Sequence, residues 1–277
     1  MFSGCVNIKL STTKTGNYLV PYRIPTSGTG VIATNAVLDM FTNTGGTFTG
    51  TPDINTTYYL WTEVYPDRAL KFSSNSSFTL ATTNSAKNWD GELEYSTDLA
   101  NWNTWDGTTT LSSSSESPYV LYLRGTGNSV ISGGNWYGKG WTLTGSNISC
   151  SGNIENLLNY ETVTAGEHPN MGGYCYLGMF SGCTSLTTAP ELPATTLAWD
   201  CYYGMFEGCT SLAEAPELPA TTLAEGCYTS MFSGCTNLAM APELPATTLV
   251  TYCYYYMFSN CKSLTTPPEL SATRMAN

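Results

Sequence analysis

Met179 to Gly204 reads MFSGCTSLTTAPELPATTLAWDCYYG, and near-copies begin at Met205, Met231 and Met257, each 26 residues after the last. The fourth copy runs only to Asn277. A fixed period of this length predicts a solenoid, in which each turn covers the apolar face of its neighbour. The copies also sort positions by tolerance. Met-Phe, Gly-Cys, Leu186, Ala189 to Leu197 and Cys201-Tyr202 recur unchanged through the three full copies. Positions 187–188, 198–200 and 203–204 vary, with Tyr203 giving way to Thr229 and returning as Tyr255. A packed interior registers any change of volume, so positions that exchange Tyr for Thr face water, where a ligand would be read.

Spacing within the unit suggests its local structure. Leu197, Cys201, Met205 and Cys209 lie four apart, as one face of a short helix requires. Thr195 or Thr196 can accept an amide hydrogen bond as N-cap, and Gly208 falls where a left-handed C-cap residue belongs. The fourth copy puts Asn260 there, the other residue that enters the left-handed region cheaply. Thr210 to Ala215 suits a short strand, and Pro216 and Pro219 stop any helix. The expected fold class is therefore α+β, a solenoid with one short helix and one short strand per 26-residue turn. A single copy does not offset the entropy of ordering its own backbone, so the array should be stable only when continuous.

These segments resemble the BspA-like leucine-rich repeat, also called the Treponema pallidum type, whose core is a helix ending A-F-x-G-C followed by T-x-L and a short strand. The matching residues are Met179 to Leu186, Met205 to Leu212, Met231 to Leu238 and Met257 to Leu264. Met-Phe replaces the commoner Ala-Phe, and A-P-E-L-P replaces the usual Ile-Pro segment. The resemblance is strong over residues 171–272 and weaker outside. Members of that family are mostly bacterial cell-surface proteins, with relatives in gut phages and some protists. The resemblance implies adhesion or partner binding rather than a reaction.

Four regions are expected. Residues 1–65 read as the tail of an upstream repeat array, in a fragment or a gene start placed inside an ancestral array. Met1-Phe2-Ser3-Gly4-Cys5 copies the repeat core, Leu38 to Asn43 resembles its end, and Thr56 to Leu60 suits an irregular closing turn. Residues 66–128 carry short runs at 69–72, 78–80, 93–96 and 119–123, separated by Ser, Asn and Gly, as in a small all-β sandwich-like domain. Residues 129–178 read as the solenoid's N-terminal cap, with Trp141-Thr142-Leu143 as strand and Ile154 to Tyr160 as a helical turn. Residues 179–277 form the solenoid itself.

Twenty-one acidic residues against ten basic give a net charge of −11 and a pI near 4.4. That balance argues against nucleic acid, which needs a basic face to neutralise phosphate, and reads as solubility of an exposed surface. No stretch approaches the roughly 18 apolar residues of a membrane span. No signal peptide is evident, since the first five residues are a repeat fragment. With the resemblance, the expected location is extracellular, on a cell surface or on a phage virion.

Cysteines recur at a spacing of eight, as Cys175/Cys183, Cys201/Cys209, Cys227/Cys235 and Cys253/Cys261, leaving Cys5 and Cys150. On one helical face that spacing separates α-carbons by about 12 Å, beyond the bridging limit of about 7 Å. A ladder of small buried thiols is the simplest reading, with disulfides between turns or a metal as alternatives. No C-x-x-C pair or second histidine builds a zinc site, so no metal or cofactor is expected. Glu191, Glu217, Glu243 and Glu269 could form a calcium-binding column or stand solvated beside the prolines. Trp89, Trp102, Trp105 and Tyr95 could stack on a sugar or pack a core. His168, the single histidine, lies beside Glu167 in a Gly/Pro-rich loop and reads as exposed and without a catalytic task. Asn55, Asn75 and Asn147 open glycosylation sequons.

The function read from these features is non-enzymatic binding or adhesion, with the repeat surface contacting a host or surface protein or a glycan. Trp199, Tyr203, Tyr252, Tyr255 and Tyr256 are the candidate ligand-binding residues. Tyrosine at a free position gives a large rigid contact area with a polar tip. A structural spacer or assembly element is the alternative. A glycan hydrolase would need paired carboxylates on one rigid face, for which only the repeat glutamates offer themselves.

Overall fold

The computed structural model describes residues 8–11, 18–23, 57–62, 69–132 and 140–275. Two compact units divide the chain, Met1–Tyr65 and Pro66–Asn277. In the first, β1 (Ile8–Ser11), β2 (Tyr18–Arg23) and β3 (Thr57–Thr62) form an antiparallel sheet in the order β1-β3-β2. Leu10 is registered with Leu60, and Tyr22 with Tyr58. The sequence reads Thr56 to Leu60 as an irregular closing turn, but Thr57–Thr62 is the central strand, as its run of Thr and aromatic residues favours. The repeat-like segments at 1–7 and 38–43 lie outside the described residues.

The second unit opens with eight strands, five at expected runs (69–72, 78–80, 93–96, 119–123 and 141–143) and three, at 103–104, 111–112 and 148–151, that were not expected. These are β4 (Leu70–Ser74), β5 (Thr79–Thr82), β6 (Glu92–Ser96), β7 (Asn103–Thr104), β8 (Leu111–Ser112), β9 (Tyr119–Thr126), β10 (Trp141–Thr144) and β11 (Ile148–Ser151). Helix α1 (Asn156–Thr164) follows, then β12 (Leu186–Thr188), β13 (Thr248–Leu249) and β14 (Arg274–Met275). One sheet runs β12-β11-β4-β9-β6-β7 and a second runs β10-β5-β8. Burial alternates along β4 and β10, as a strand with one covered face requires. Trp141 of the small sheet meets Phe72 of the large one at 6.3 Å between ring centres, and Trp105 at 5.5 Å. The two sheets are sandwich-like. Because β12 is part of the first repeat copy, the large sheet continues directly into the repeats, and both belong to one buried core.

The α+β leucine-rich-repeat solenoid expected for the repeats is overturned. Among the described residues the only α-helix is α1, which precedes the repeats, and strands within the copies shrink to β12–β14 and isolated bridges such as Glu214 with Met240. Where a helix was expected, residues 198–209 form consecutive turns. Their amides alternate. Cys201, Tyr203, Met205, Glu207 and Cys209 donate three residues back, to the carbonyls of Ala198, Asp200, Tyr202, Gly204 and Phe206. Asp200, Tyr202, Gly204, Phe206 and Gly208 donate instead to the next copy, to Glu225, Cys227, Thr229, Met231 and Ser233. The copies before and after repeat that scheme, giving five such bonds at each of three junctions.

The physical reason is the period. Four-spaced residues on an α-helix precess by about 40° per step, so Leu197 to Cys209 would swing by about 120°. The turn ribbon keeps them aligned by placing every fourth residue in the left-handed region: Asp200, Gly204 and Gly208 have φ of 49°, 57° and 70°. Type II turns require such a residue at their third position. Their counterparts Gly226, Ser230, Gly234, Tyr252, Tyr256 and Asn260 do the same. The left-handed conformation expected at Gly208 and Asn260 is thus present, although no helix precedes it.

Stacking follows from register. Tyr176, Tyr202, Tyr228 and Tyr254 form one column of near-parallel rings at 5.5–5.8 Å, and Phe180, Phe206, Phe232 and Phe258 a second at 5.6–5.8 Å. Cys201, Met205 and Cys209 are wholly buried between them. At the near end of the stack, Ile131 and Ser132 donate to the Cys175 carbonyl and Trp141 to that of Met179. Gly140 must be glycine there, since a Cβ would overlap the Gly178 carbonyl oxygen.

Candidate functional site

A 26-residue register turns each variable position into a column. Trp199, Glu225 and Thr251 share one place, and Tyr203, Thr229 and Tyr255 another. Asp200, Gly226 and Tyr252 share a third, and Gly204, Ser230 and Tyr256 a fourth. Three of the five candidate residues come together at the end of the third copy. The ring centres of Tyr252 and Tyr255 are 5.4 Å apart and those of Tyr255 and Tyr256 4.1 Å, with the three residues 60%, 48% and 61% exposed. A hydroxyl contact with Tyr256 holds the Tyr255 phenol above its ordinary pKa. Tyr203, half-buried, occupies the Tyr255 column two copies earlier, and burial, then Glu207 and Asp200, raise its phenol. Trp199 stands apart from this group. It packs edge-on against Tyr174 at 4.1 Å and crosses the backbone at Gly173.

Two of these tyrosines occupy unusual backbone. Tyr252 and Tyr256 have φ of 55° and 53°; the first shares its column with Tyr174 (φ 59°), Asp200 and Gly226, the second with Gly178, Gly204 and Ser230. A bulky residue in the left-handed region costs about 1–2 kcal/mol. Fold preference does not account for tyrosine at either position, and strain of this kind concentrates at functional sites.

The remaining candidates resolve into structure. Trp89 and Trp105 are buried, 4.9 Å apart between ring centres, so they pack the sandwich interior and offer no sugar platform. Trp102 is half-buried and, with Tyr160, sandwiches the Arg124 guanidinium at 4.0 and 4.4 Å, while Arg124 Nε donates to Glu94 at 2.8 Å. The nine described cysteines are free, and their two columns are buried except for half-buried Cys261. The Cys209, Cys235 and Cys261 thiols each donate to a phenylalanine carbonyl at 3.1 Å, and burial pushes the Cys235 thiol up to about 12. Glu191, Glu217, Glu243 and Glu269 are exposed, and no group of three or more potential metal ligands occurs among the described residues. Asn75 and Asn147 are exposed, whereas Asn55 lies outside the described residues. No helix among the described residues is long and apolar enough to cross a membrane.

His168 is the one site where sequence reasoning missed a partner. Its Nδ1 lies 2.8 Å from Oε2 of Glu155, thirteen residues earlier, at the wall of a 490 Å³ pocket shared with Thr195 to Ala198. Burial raises the Glu155 carboxyl, and the His168 hydrogen bond offsets part of that rise. Nothing in the sequence signals the pair, because a loop rather than a periodic element brings it together.

Comparison with protein-family models, with curated proteins and with solved structures found no match to this chain. The family resemblance therefore rests on the repeat motif alone.

Proposed function

We propose that this chain is a non-enzymatic binding protein that engages a host-surface protein or a glycan through Tyr252, Tyr255 and Tyr256, on a cell surface or a phage virion. The observation that carries the reading is three exposed tyrosines, Tyr255 touching both Tyr252 and Tyr256, with the latter two in strained left-handed backbone. Aromatic side chains at a solvent face supply large contact area at small entropic cost, and such residues dominate binding energy. The likeness of the F-x-G-C-T-x-L core to cell-surface repeat proteins supports the same class, and the acidic surface fits partners other than nucleic acid.

The test is binding of the fluorescently labelled chain to a glycan array and to intact host cells, with the Tyr252→Ala/Tyr255→Ala/Tyr256→Ala variant alongside. Loss of about 2 kcal/mol or more of binding, roughly thirtyfold, is expected. Retention on glycan spots or on deglycosylated cells separates a sugar from a protein ligand. A variant that binds as the parent does refutes the site. An assembly element is the second reading, favoured by a separate observation: the amides of Tyr252, Tyr254, Tyr256, Phe258 and Asn260 have no partner among the described residues.

A further inference from the structure

Between residues 168–171 and the first repeat copy, the hydrogen-bond ladder is interrupted. In two of the three later copies, the amides after the proline segment donate to the copy before: Thr221 and Thr222 to the Thr195 carbonyl, Thr273 and Arg274 to that of Thr247. Their equivalents in the first copy are Thr195 and Thr196. Counting back 26 residues from Thr195 reaches Pro169, yet neither amide has a partner among the described residues. Instead Pro169, Asn170, Thr195 and Thr196 all line the 490 Å³ pocket that holds the Glu155–His168 pair. The gap lies inside the fold.

The groups around it select a ligand by chemistry. The Glu155 side chain is only 2% exposed and is held by His168 at 2.8 Å. That bond uses Nδ1 and leaves Nε2 as the free ring nitrogen. Among the described residues, nothing engages the Asn170 side chain or the Thr195 and Thr196 hydroxyls. Donors and acceptors are therefore mixed around one space. An anion finds no countercharge, since no lysine or arginine lines the pocket or occurs between Lys139 and Lys262. A cation finds the one carboxylate of the lining already engaged by His168. Met171, Leu197 and Ala198 add an apolar patch. The volume falls within the range of about 300–1,000 Å³ of small-molecule sites. A neutral ring with several hydroxyls meets all of these conditions, because each hydroxyl both donates and accepts while the C–H face covers the apolar patch.

We infer that this pocket binds one neutral sugar unit. Its hydroxyls accept from the Thr195 and Thr196 amides and donate to His168 Nε2, with Asn170 completing the polar set. Glu155 acts through His168, whose ring it orients. The pocket shares no residue with the tyrosine cluster, so the two sites stand or fall separately.

His168 is the single histidine of the chain, so its imidazole proton resonances report on the pocket directly. The full chain is titrated at fixed pH with the methyl glycosides of glucose, galactose, mannose and N-acetylglucosamine. At least one should move those resonances saturably, and sodium acetate and N-acetylglycinamide, probes for an anion and for a peptide group, should not. Asn170→Ala/Thr196→Val changes two exposed side chains and should weaken the titration by about tenfold, with circular dichroism confirming the fold. Tyr252→Ala/Tyr255→Ala/Tyr256→Ala should titrate as the parent does. The inference is overturned by a parent that no glycoside shifts, by tighter binding of acetate or N-acetylglycinamide than of any sugar, by a double variant that titrates like the parent, or by loss of the response in the tyrosine variant.

Discussion

Replacing Phe206 by alanine probes the packing where the stack is most regular. The ring is wholly buried and lies between Phe180 at 5.6 Å and Phe232 at 5.7 Å, in near-parallel stacking with both. Its removal leaves a hole walled by two rings that the hydrogen bonds on either side hold apart, so collapse is small and the cost is about 3–5 kcal/mol. Phe258 is the same residue in the same column with a ring on one side only, Phe232 at 5.8 Å, and it is partly exposed. Phe258→Ala should cost about 1–2 kcal/mol. In a unit of roughly 200 residues each kcal/mol lowers Tm by about 2–4 °C, so the expected losses are about 6–20 °C and about 2–8 °C. Thermal unfolding followed by circular dichroism measures both. A Phe258→Ala loss equal to or larger than that of Phe206→Ala would refute the view that contact between copies stabilises the fold. A Phe180→Ala/Phe206→Ala double variant should lose less than the sum of its parts, because the two rings share one contact.

Other expectations follow from local geometry. Gly140→Ala drives a Cβ into the Gly178 carbonyl and should cost about 3 kcal/mol in urea unfolding. Gly166→Ala, at φ 82° with open space around it, should cost only about 1 kcal/mol. Hydrogen bonds from the Thr108 hydroxyl and the Thr109 and Thr108 amides pull the Asp106 carboxyl down from 3.8 to about 2. A depressed carboxylate stabilises the fold above its unfolded pKa and loses that contribution as pH falls through the folded one, so Asp106→Asn should flatten the Tm profile between pH 3.8 and about 2 while leaving its shape near neutrality. Deleting Met205 to Ser230 removes one whole copy and should leave a folded chain with one junction fewer. Deleting Met205 to Glu217 throws the Phe and Cys columns out of register and should unfold the repeats, as circular dichroism and proteolysis would show.

The buried set of the repeats was legible because copies are an internal mutation series. Of the positions invariant across them, Cys201, Tyr202, Met205, Phe206 and Cys209 are buried, while Glu191, Thr195 and Thr196 stay exposed. The helix was misread because a spacing of four is shared by an α-helix and a ribbon of turns. The distinguishing signal is present at 200, 204 and 208, where Asp, Gly and Gly recur as Gly, Ser and Gly, residues tolerant of the left-handed region at a strict period. Tyr252 and Tyr256 obscure it at the end of the third copy. For Trp89 and Trp105 the sequence favours core packing over a platform without deciding it, since a tryptophan serves either and only sheet register sets which face it joins.

Surface identity and folding are separated in this architecture by the source of its hydrogen bonds. Tyr203, Thr229 and Tyr255 occupy one column, and their carbonyls accept from Gly178, Gly204 and Ser230 at 2.8 Å in all three cases. The ladder does not register whether the side chain is an aromatic or a small alcohol. Both ring columns and the buried thiols lie on residues adjacent to these positions and are unchanged between copies. A residue at 203 or 255 can therefore be exchanged to alter what the surface contacts with the backbone ladder left intact, whereas Thr229 is buried and its hydroxyl donates to the Tyr252 carbonyl. Tyrosine in left-handed backbone is the exception: at 174 it packs against Trp199, whereas at 252 and 256 it is exposed, and there selection for a contact rather than for the fold should be sought first.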